Sequence, residues 1–265
     1  MTEIACQTYS LRSRPTAEML VCVRKAGFRA VELWVGHADH TVGGVAQAAL
    51  VRRAADEIGI AIHAYSVGSF FHVALATVET QLRSAFAFAG ALGVDLLTGV
   101  IDRRAVALVD RLTRLSGIRF AIENHWYTDF ATADDYVSTL RRTSPLVGVT
   151  LDTGHLLAAG DDPTAALARL GNRVFDVHVK DVAVAGRLER WLLRRPRMQP
   201  RTVCPGEGPI ASFLAALAAS GYTGCLAVED ERPELPLSEL QASLRATRTL
   251  LRAAGRPVAV AEAIS

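Results

Sequence analysis

Eight short apolar runs rich in β-branched residues recur along this sequence, each followed by an amphipathic stretch, and the alternation leaves few folds open. The runs cover residues 3–9, 28–34, 58–64, 94–100, 118–123, 147–152, 174–180 and 224–229. Their starts lie mostly about 25 to 35 residues apart, the room needed for a strand, a helix and two short loops. Continuous apolar runs of this length fit strands buried on both faces, whereas the stretches between them carry the 3.6-residue period of helices packed on a sheet. The repeated unit is therefore a strand followed by a helix.

Local backbone chemistry marks the same boundaries independently. Pro15 and Thr16 open a helix that Gly27 closes, and Asp102 opens one that ends at Gly117. Thr132 and Asp135 have capping-box spacing, Asp162 precedes Pro163 at a first helical position, and Ser238 is placed to cap the last helix, which runs to about Gly255. Eight such units, with no Gly-rich phosphate turn after the first strand, predict an α/β protein built as a single closed (β/α)8 barrel rather than a doubly wound sheet. Neither a dinucleotide-type GxGxxG nor a P-loop motif occurs, which argues against those cofactor chemistries.

Composition decides the number of domains. The 265 residues would suit almost two average domains, but 50% apolar residues and no Pro/Ser-rich linker suit one barrel domain over 1–265. One unit is long, and its excess lies in a loop insertion at 181–206. Lys plus Arg number 29 against 27 for Asp plus Glu, and the net +2 predicts neither a nucleic-acid nor an anionic-membrane partner. The first residues include an acid and no apolar signal core, and no apolar stretch approaches the roughly 18 residues of a membrane span. Cys6, Cys22, Cys204 and Cys225 lack CxxC spacing and are expected as thiols in a reducing compartment. A cytoplasmic enzyme or binding protein is the expectation.

In a barrel of this kind the reactive groups sit where strands end and the following loops begin. Glu123, Asp152 and Glu229 close the fifth, sixth and eighth runs, and His178 lies near the end of the seventh, in DVHVKD. Taken singly, each reads equally as a helix cap, an ion-pair partner or a core histidine. Taken together, three carboxylates and an imidazole on neighbouring strands about 4.8 Å apart repel one another unless a cation joins them. This oxygen-rich set without thiolate suits one divalent ion, Mn²⁺, Mg²⁺, Co²⁺ or Zn²⁺, with coordination positions left for substrate.

The runs ENH, LDTGH, HVKD and PGEG, in that order, resemble the xylose isomerase-like barrel superfamily. These are the sugar phosphate isomerases and epimerases, together with inosose dehydratases, hydroxypyruvate isomerases, ketose 3-epimerases and endonuclease IV. The resemblance covers nearly the whole chain. It implies that Glu123, Asp152, His178 and Glu229 are metal ligands, that Glu123 and Glu229 also form the acid/base pair, and that His155 contacts substrate oxygens beside the metal. The activity it implies is isomerisation or epimerisation of a small carbohydrate or polyol ketone, by proton transfer next to a carbonyl through a cis-enediolate. A lyase sharing that first step, of the inosose dehydratase kind, is the alternative, and a non-catalytic sugar-binding barrel is a third reading. Members are often dimers or tetramers, which leaves a homo-oligomer open without an interface readable in the sequence.

Two departures narrow the family. Ketose 3-epimerases carry an arginine six residues after the metal histidine, where this chain has Val184. The acid-x-histidine pair that endonuclease IV carries after its seventh strand is replaced by Val179, Lys180 and Asp181 behind His178.

Further residues are expected to wall the mouth: Tyr9 on the first run, Glu32 and Trp34 on the second, and His63 and Tyr65 on the third. Glu32 reads equally well as a structural ion-pair partner. Lys180 and Arg187 are the nearest cations for substrate binding. The insertion holds six arginines against Asp181 and Glu189, with Leu188, Trp191, Leu192 and Leu193 spaced for a short amphipathic helix, a candidate lid or oligomer contact.

Overall fold

A computed structural model of the chain describes residues 3–184, 198–203 and 209–258. Eight parallel strands close into a barrel: β1 (Ala5–Gln7), β2 (Ala30–Trp34), β3 (Ala61–Ser69), β4 (Leu96–Val100), β5 (Arg119–Glu123), β6 (Val147–Asp152), β7 (Val174–Val179) and β10 (Cys225–Val228). The neighbour order β1-β10-β7-β6-β5-β4-β3-β2 is sequential around the ring. Two further strands, β8 (Asp181–Val184) and β9 (Met198–Arg201), pair antiparallel from Asp181↔Arg201 to Val184↔Met198 at the two ends of the insertion. Arg187 and the apolar segment around Trp191 lie outside the described residues.

The helices form where the sequence places their ends. Gly27 and Gly117 close Thr16–Ala26 and Val106–Ser116 at φ 97° and 74°, a left-handed conformation that favours glycine. Thr132 and Asp135 form a reciprocal capping box on Ala133–Leu140, and Asp162 caps Pro163–Leu170 by accepting from the Thr164 amide at 3.0 Å. Each cap is worth about 1 kcal/mol. Ser238 does not cap the final helix, Leu237–Ala253, because Pro236 takes that position and puts Ser238 inside it.

Two kinds of core result. Phe28, Leu33, Tyr65, Phe88, Phe120, Leu151 and Phe213 are sealed in the main apolar core. Within the barrel, small side chains line the walls, Ala5, Ala30, Ala64, Ala121 and Ala227, while Phe175 fills the floor near the start of β7. Gly148 makes room for that ring, since a Cβ there would stand 2.4 Å from it. Truncating Phe175 would cost about 3–5 kcal/mol. The alanine walls leave width above this floor for long polar side chains.

The third strand differs from expectation. Gly59, at φ 68°, terminates the preceding helix inside the apolar run, with Ile60 N–H returning to Ala55 O at 2.9 Å. The strand therefore starts at Ala61 and continues to Ser69. His63 and Tyr65, expected at its mouth end, lie near its start and at its middle. Tyr65 stacks on Phe88 at 4.8 Å and donates to Ala38 O, on the helix side of the wall. His63 pairs with Glu3 at 3.4 Å, just ahead of β1, at the N-terminal end of the barrel.

Candidate active site

Glu123, Asp152, His178 and Glu229 stand at successive strand ends, and backbone pairing fixes their relative heights. Glu123 pairs with Thr150 and Asp152 with His178 in the ladders, while the Glu229 amide donates to Val179 O at 3.2 Å. Asn124 extends the β5–β6 pairing past the last ladder position. Its amide nitrogen donates to Asp152 O at 3.0 Å, and its carbonyl accepts from Asp152 N–H at 2.7 Å. Thr153 does the same for β6 and β7, donating to Lys180 O at 2.8 Å and accepting from Lys180 N–H at 3.0 Å.

One atom of each of the four side chains lies within 4.8 Å of the others, and all four residues are buried. That spread is close to the roughly 4.2 Å across an ion with bonds of about 2.1 Å. His178 Nδ1 is 3.0 Å from Glu229 Oε2, 3.4 Å from Glu123 Oε1 and 3.7 Å from Asp152 Oδ2. Asp152 combines two roles: Oδ1 caps the next helix by accepting from His155 N–H at 2.8 Å, which fixes the rotamer and leaves Oδ2 facing the centre. Asp152 Oδ2, Glu229 Oε2 and His178 Nδ1 are sealed from solvent without a well-aligned hydrogen bond. Buried carboxylate oxygens and an imidazole nitrogen facing one point, with the Lys180 ammonium beside two of them, are what a cation site requires, so the residues present fit a divalent ion.

Lys180 completes the charge balance. Its ammonium, fully buried, lies 2.8 Å from Asp152 Oδ2, 3.1 Å from Glu229 Oε2 and 2.9 Å from Glu231 Oε1. Burial opposes its charge, but Asp152, Glu229 and Glu231 hold it well above the usual lysine range. Burial would likewise raise the Asp152 carboxyl, yet Lys180 and then His155 keep it well below the usual carboxylate range. Burial would raise Glu231 as well, but Lys180 and His155 bring it down to about 2. Glu231 is the residue that sequence reasoning missed. It lies past the end of β10, where strand alternation no longer says which way a side chain points.

His155 is buried, its ring stacked on His125 at 3.9 Å and its Nε2 3.5 Å from Glu231. Burial, then Lys180, lower its basicity, so a neutral imidazole is favoured. His125 behaves oppositely: burial would lower it, but Glu123 at 3.1 Å raises it. Burial would raise Glu123 itself, but His125 and His178 hold it well below the ordinary range. At the rim, Tyr9 meets Trp34 edge-on at 5.1 Å and lies under the Arg12 guanidinium, which donates to Glu231 O at 2.8 Å. Arg12 thus links Tyr9 to the backbone of Glu231.

Glu32 does not wall the mouth. It is buried beneath the four donors, with Oε2 2.7 Å from His178 Nε2. Burial and then the Asp176 charge push its carboxyl up to about 8. Burial opposes protonation of His178, but Glu32, Asp176 and Glu229 hold it well above the ordinary histidine value. Asp129, six residues past Glu123, accepts from the Arg103 amide at 2.9 Å and stabilises a loop. A surface hollow lined by Thr41, Ala76, Thr77, Thr80, Gln81 and Ser84 contains no charged side chain.

Fold and site together define a class, the (β/α)8 barrels that gather buried carboxylates and an imidazole at the C-terminal strand ends. The chain belongs to the xylose isomerase-like TIM barrel family, whose model matches residues 22–251. It is 28% identical over 146 residues to an inosose dehydratase of Clostridium tetani, covering 52% of this chain and 49% of that one. The chain spans about half the length of the curated relatives it matches. Among solved structures, D-psicose 3-epimerase superposes with a TM-score of 0.72 at 17% identity, over 94% of this chain and 99% of that one. The IolI protein with a bound zinc atom gives 0.72 at 18%, over 96% and 99%. Both likenesses carry the fold alone. No described helix is long and apolar enough to cross a membrane.

Proposed function

We propose that this chain is a divalent-metal-dependent enzyme that removes the proton from the carbon next to the carbonyl of a keto-sugar or keto-cyclitol. The observation that carries the reading is the convergence of Glu123, Asp152, His178 and Glu229 within 4.8 Å, all four of them buried. These four would hold one Mn²⁺, Mg²⁺, Co²⁺ or Zn²⁺. When bound, the ion would polarise the carbonyl and an adjacent hydroxyl, making the carbon-bound proton more acidic.

This chain's own groups do the rest. Glu123 and Glu229, on different sides of the centre, are the acid/base pair, and a carboxylate oxygen takes the proton while its C–H electrons move toward the carbonyl. Lys180 and His155 donate to substrate oxygens, Tyr9 borders the substrate, and Arg187 is a candidate contact from the insertion.

Two outcomes share this step. Return of the proton to the same or a neighbouring carbon gives an isomerase or epimerase, and the paired Glu123 and Glu229 carboxylates favour it. Loss of a β-hydroxyl, which takes a proton and leaves as water, gives a dehydratase. The likeness to inosose dehydratases and the Val184 position favour that second reading. The substrate is a small molecule in either case. Incubating the Mn²⁺-loaded protein in D₂O with keto-sugars and keto-inositols tests both: solvent deuterium at carbon with the skeleton intact supports isomerisation, and a product lighter by one water supports dehydration. Absence of exchange and of product across the panel would contradict the proposal.

A further inference from the structure

Below the four donors, the barrel interior carries a second polar tier. Glu32 enters from β2, Thr98 from β4 and Asp176 from β7, and all three are fully buried. A barrel centre is ordinarily packed with branched apolar side chains, and a carboxylate there is costly unless paired. Here the partners are specific. Glu32 Oε2 meets His178 Nε2 at 2.7 Å, and Thr98 Oγ1 donates to Glu32 Oε1 at 2.5 Å. Asp176 Oδ2 lies 3.1 Å from the same imidazole nitrogen.

An imidazole holds a cation only through a nitrogen that carries no proton. His178 turns Nδ1 toward Glu123, Asp152 and Glu229, and Nε2 toward Glu32. A Glu32 carboxyl oxygen accepting at Nε2 keeps the proton there, frees the Nδ1 lone pair and resists rotation of the ring. It also makes the imidazole a stronger donor to an ion. We infer that Glu32, clamped by Thr98 and backed by Asp176, is a positioning residue that fixes His178 in the tautomer and orientation presenting Nδ1 to the cation site.

This inference rests on the metal-dependent reading above. The competing arrangement is a second ion, since Glu32, Asp176 and His178 also offer donors within 4.8 Å of one another. That ion would need Nε2 deprotonated, whereas positioning needs the proton on Nε2, so the two exclude each other.

The test titrates wild type, Glu32→Gln and Glu32→Leu with Mn²⁺ by calorimetry and records the histidine ¹⁵N spectrum of the Zn²⁺-loaded wild type. Wild type is expected to bind one ion per chain with the His178 proton on Nε2. Glu32→Leu should weaken binding about 10- to 100-fold. Glu32→Gln, whose amide oxygen still accepts from Nε2–H, should weaken it by less than about tenfold and decides the matter with the ¹⁵N spectrum if the leucine variant does not fold. Wild-type affinity in both variants, a proton on Nδ1, or two ions per chain would overturn the inference alone. A wild type that binds no ion would overturn it together with the functional reading.

Discussion

Lys180 Nζ lies 2.8 Å from Asp152 Oδ2 where neither side chain reaches solvent. The ammonium is the counter-charge of a carboxylate cluster that an ion would also neutralise, so the two cations oppose each other. At about 3 Å, unit charges interact by roughly 1 kcal/mol even in a water-like dielectric. Lys180→Met is expected to tighten Mn²⁺ binding about five- to tenfold while lowering turnover at least about 10²-fold, because the substrate loses a donor. Calorimetry beside steady-state kinetics measures both, and weaker ion binding in the variant would contradict the placement.

Gly154 sits against the stem of the same lysine. A Cβ at 154 would stand 2.8 Å from Lys180 Cγ and Cδ and 3.0 Å from Val182 Cγ1. The lysine cannot retreat without leaving its carboxylates, so Gly154→Ala should destabilise by about 1–3 kcal/mol and raise KM. Thermal melts and kinetics unchanged from wild type would show that the contact is slack.

His63 provides the control. Its partner Glu3 is at the N-terminal end of the barrel, and both side chains are about one-third exposed, at 31% and 37%. Such a pair contributes under about 1 kcal/mol. His63→Ala should leave turnover, KM and ion affinity within twofold of wild type, and a large loss of activity would return His63 to the site.

Glu231 links the site to acid stability. Its folded pKa of about 2 lies below the ordinary 4.5, so its contribution is full above pH 4.5 and is lost as pH falls through 2. The contribution is up to about 3 kcal/mol at roughly 1.4 kcal/mol per pKa unit. Glutamine mimics the protonated form. In urea titrations of metal-free protein, Glu231→Gln should be less stable than wild type at pH 7, with the gap narrowing below pH 4.5. A gap that widens on acidification would reverse the assignment.

The barrel was legible because its strands are apolar runs closed by glycine and proline punctuation, and the four central residues because each lies at or within two residues of the end of such a run. His63 was misplaced because Ile58 and Ile60 extend an apolar pattern across Gly59, which ends a helix rather than joining a strand. Glu231 and Asn124 escaped notice for another reason: their roles come from side chains converging across strand ends, which no periodicity records. For Glu32 the sequence left a mouth residue and a structural ion-pair partner equally open, and its depth two positions before the end of β2 becomes visible only when the pleat and barrel register are known.

The central claim is that Glu123, Asp152, His178 and Glu229 form one divalent-ion site, and ion stoichiometry with affinity tests it most directly. Mn²⁺ calorimetry on wild type and on Glu123→Gln, Asp152→Asn, His178→Ala and Glu229→Gln, each checked for folding by circular dichroism, should give one ion per wild-type chain. Each folded variant should lose at least about 10²-fold in affinity, since a ligand itself matters at least as much as the groups that orient it. Wild-type affinity retained in folded His178→Ala, or no ion bound by wild type, would contradict it.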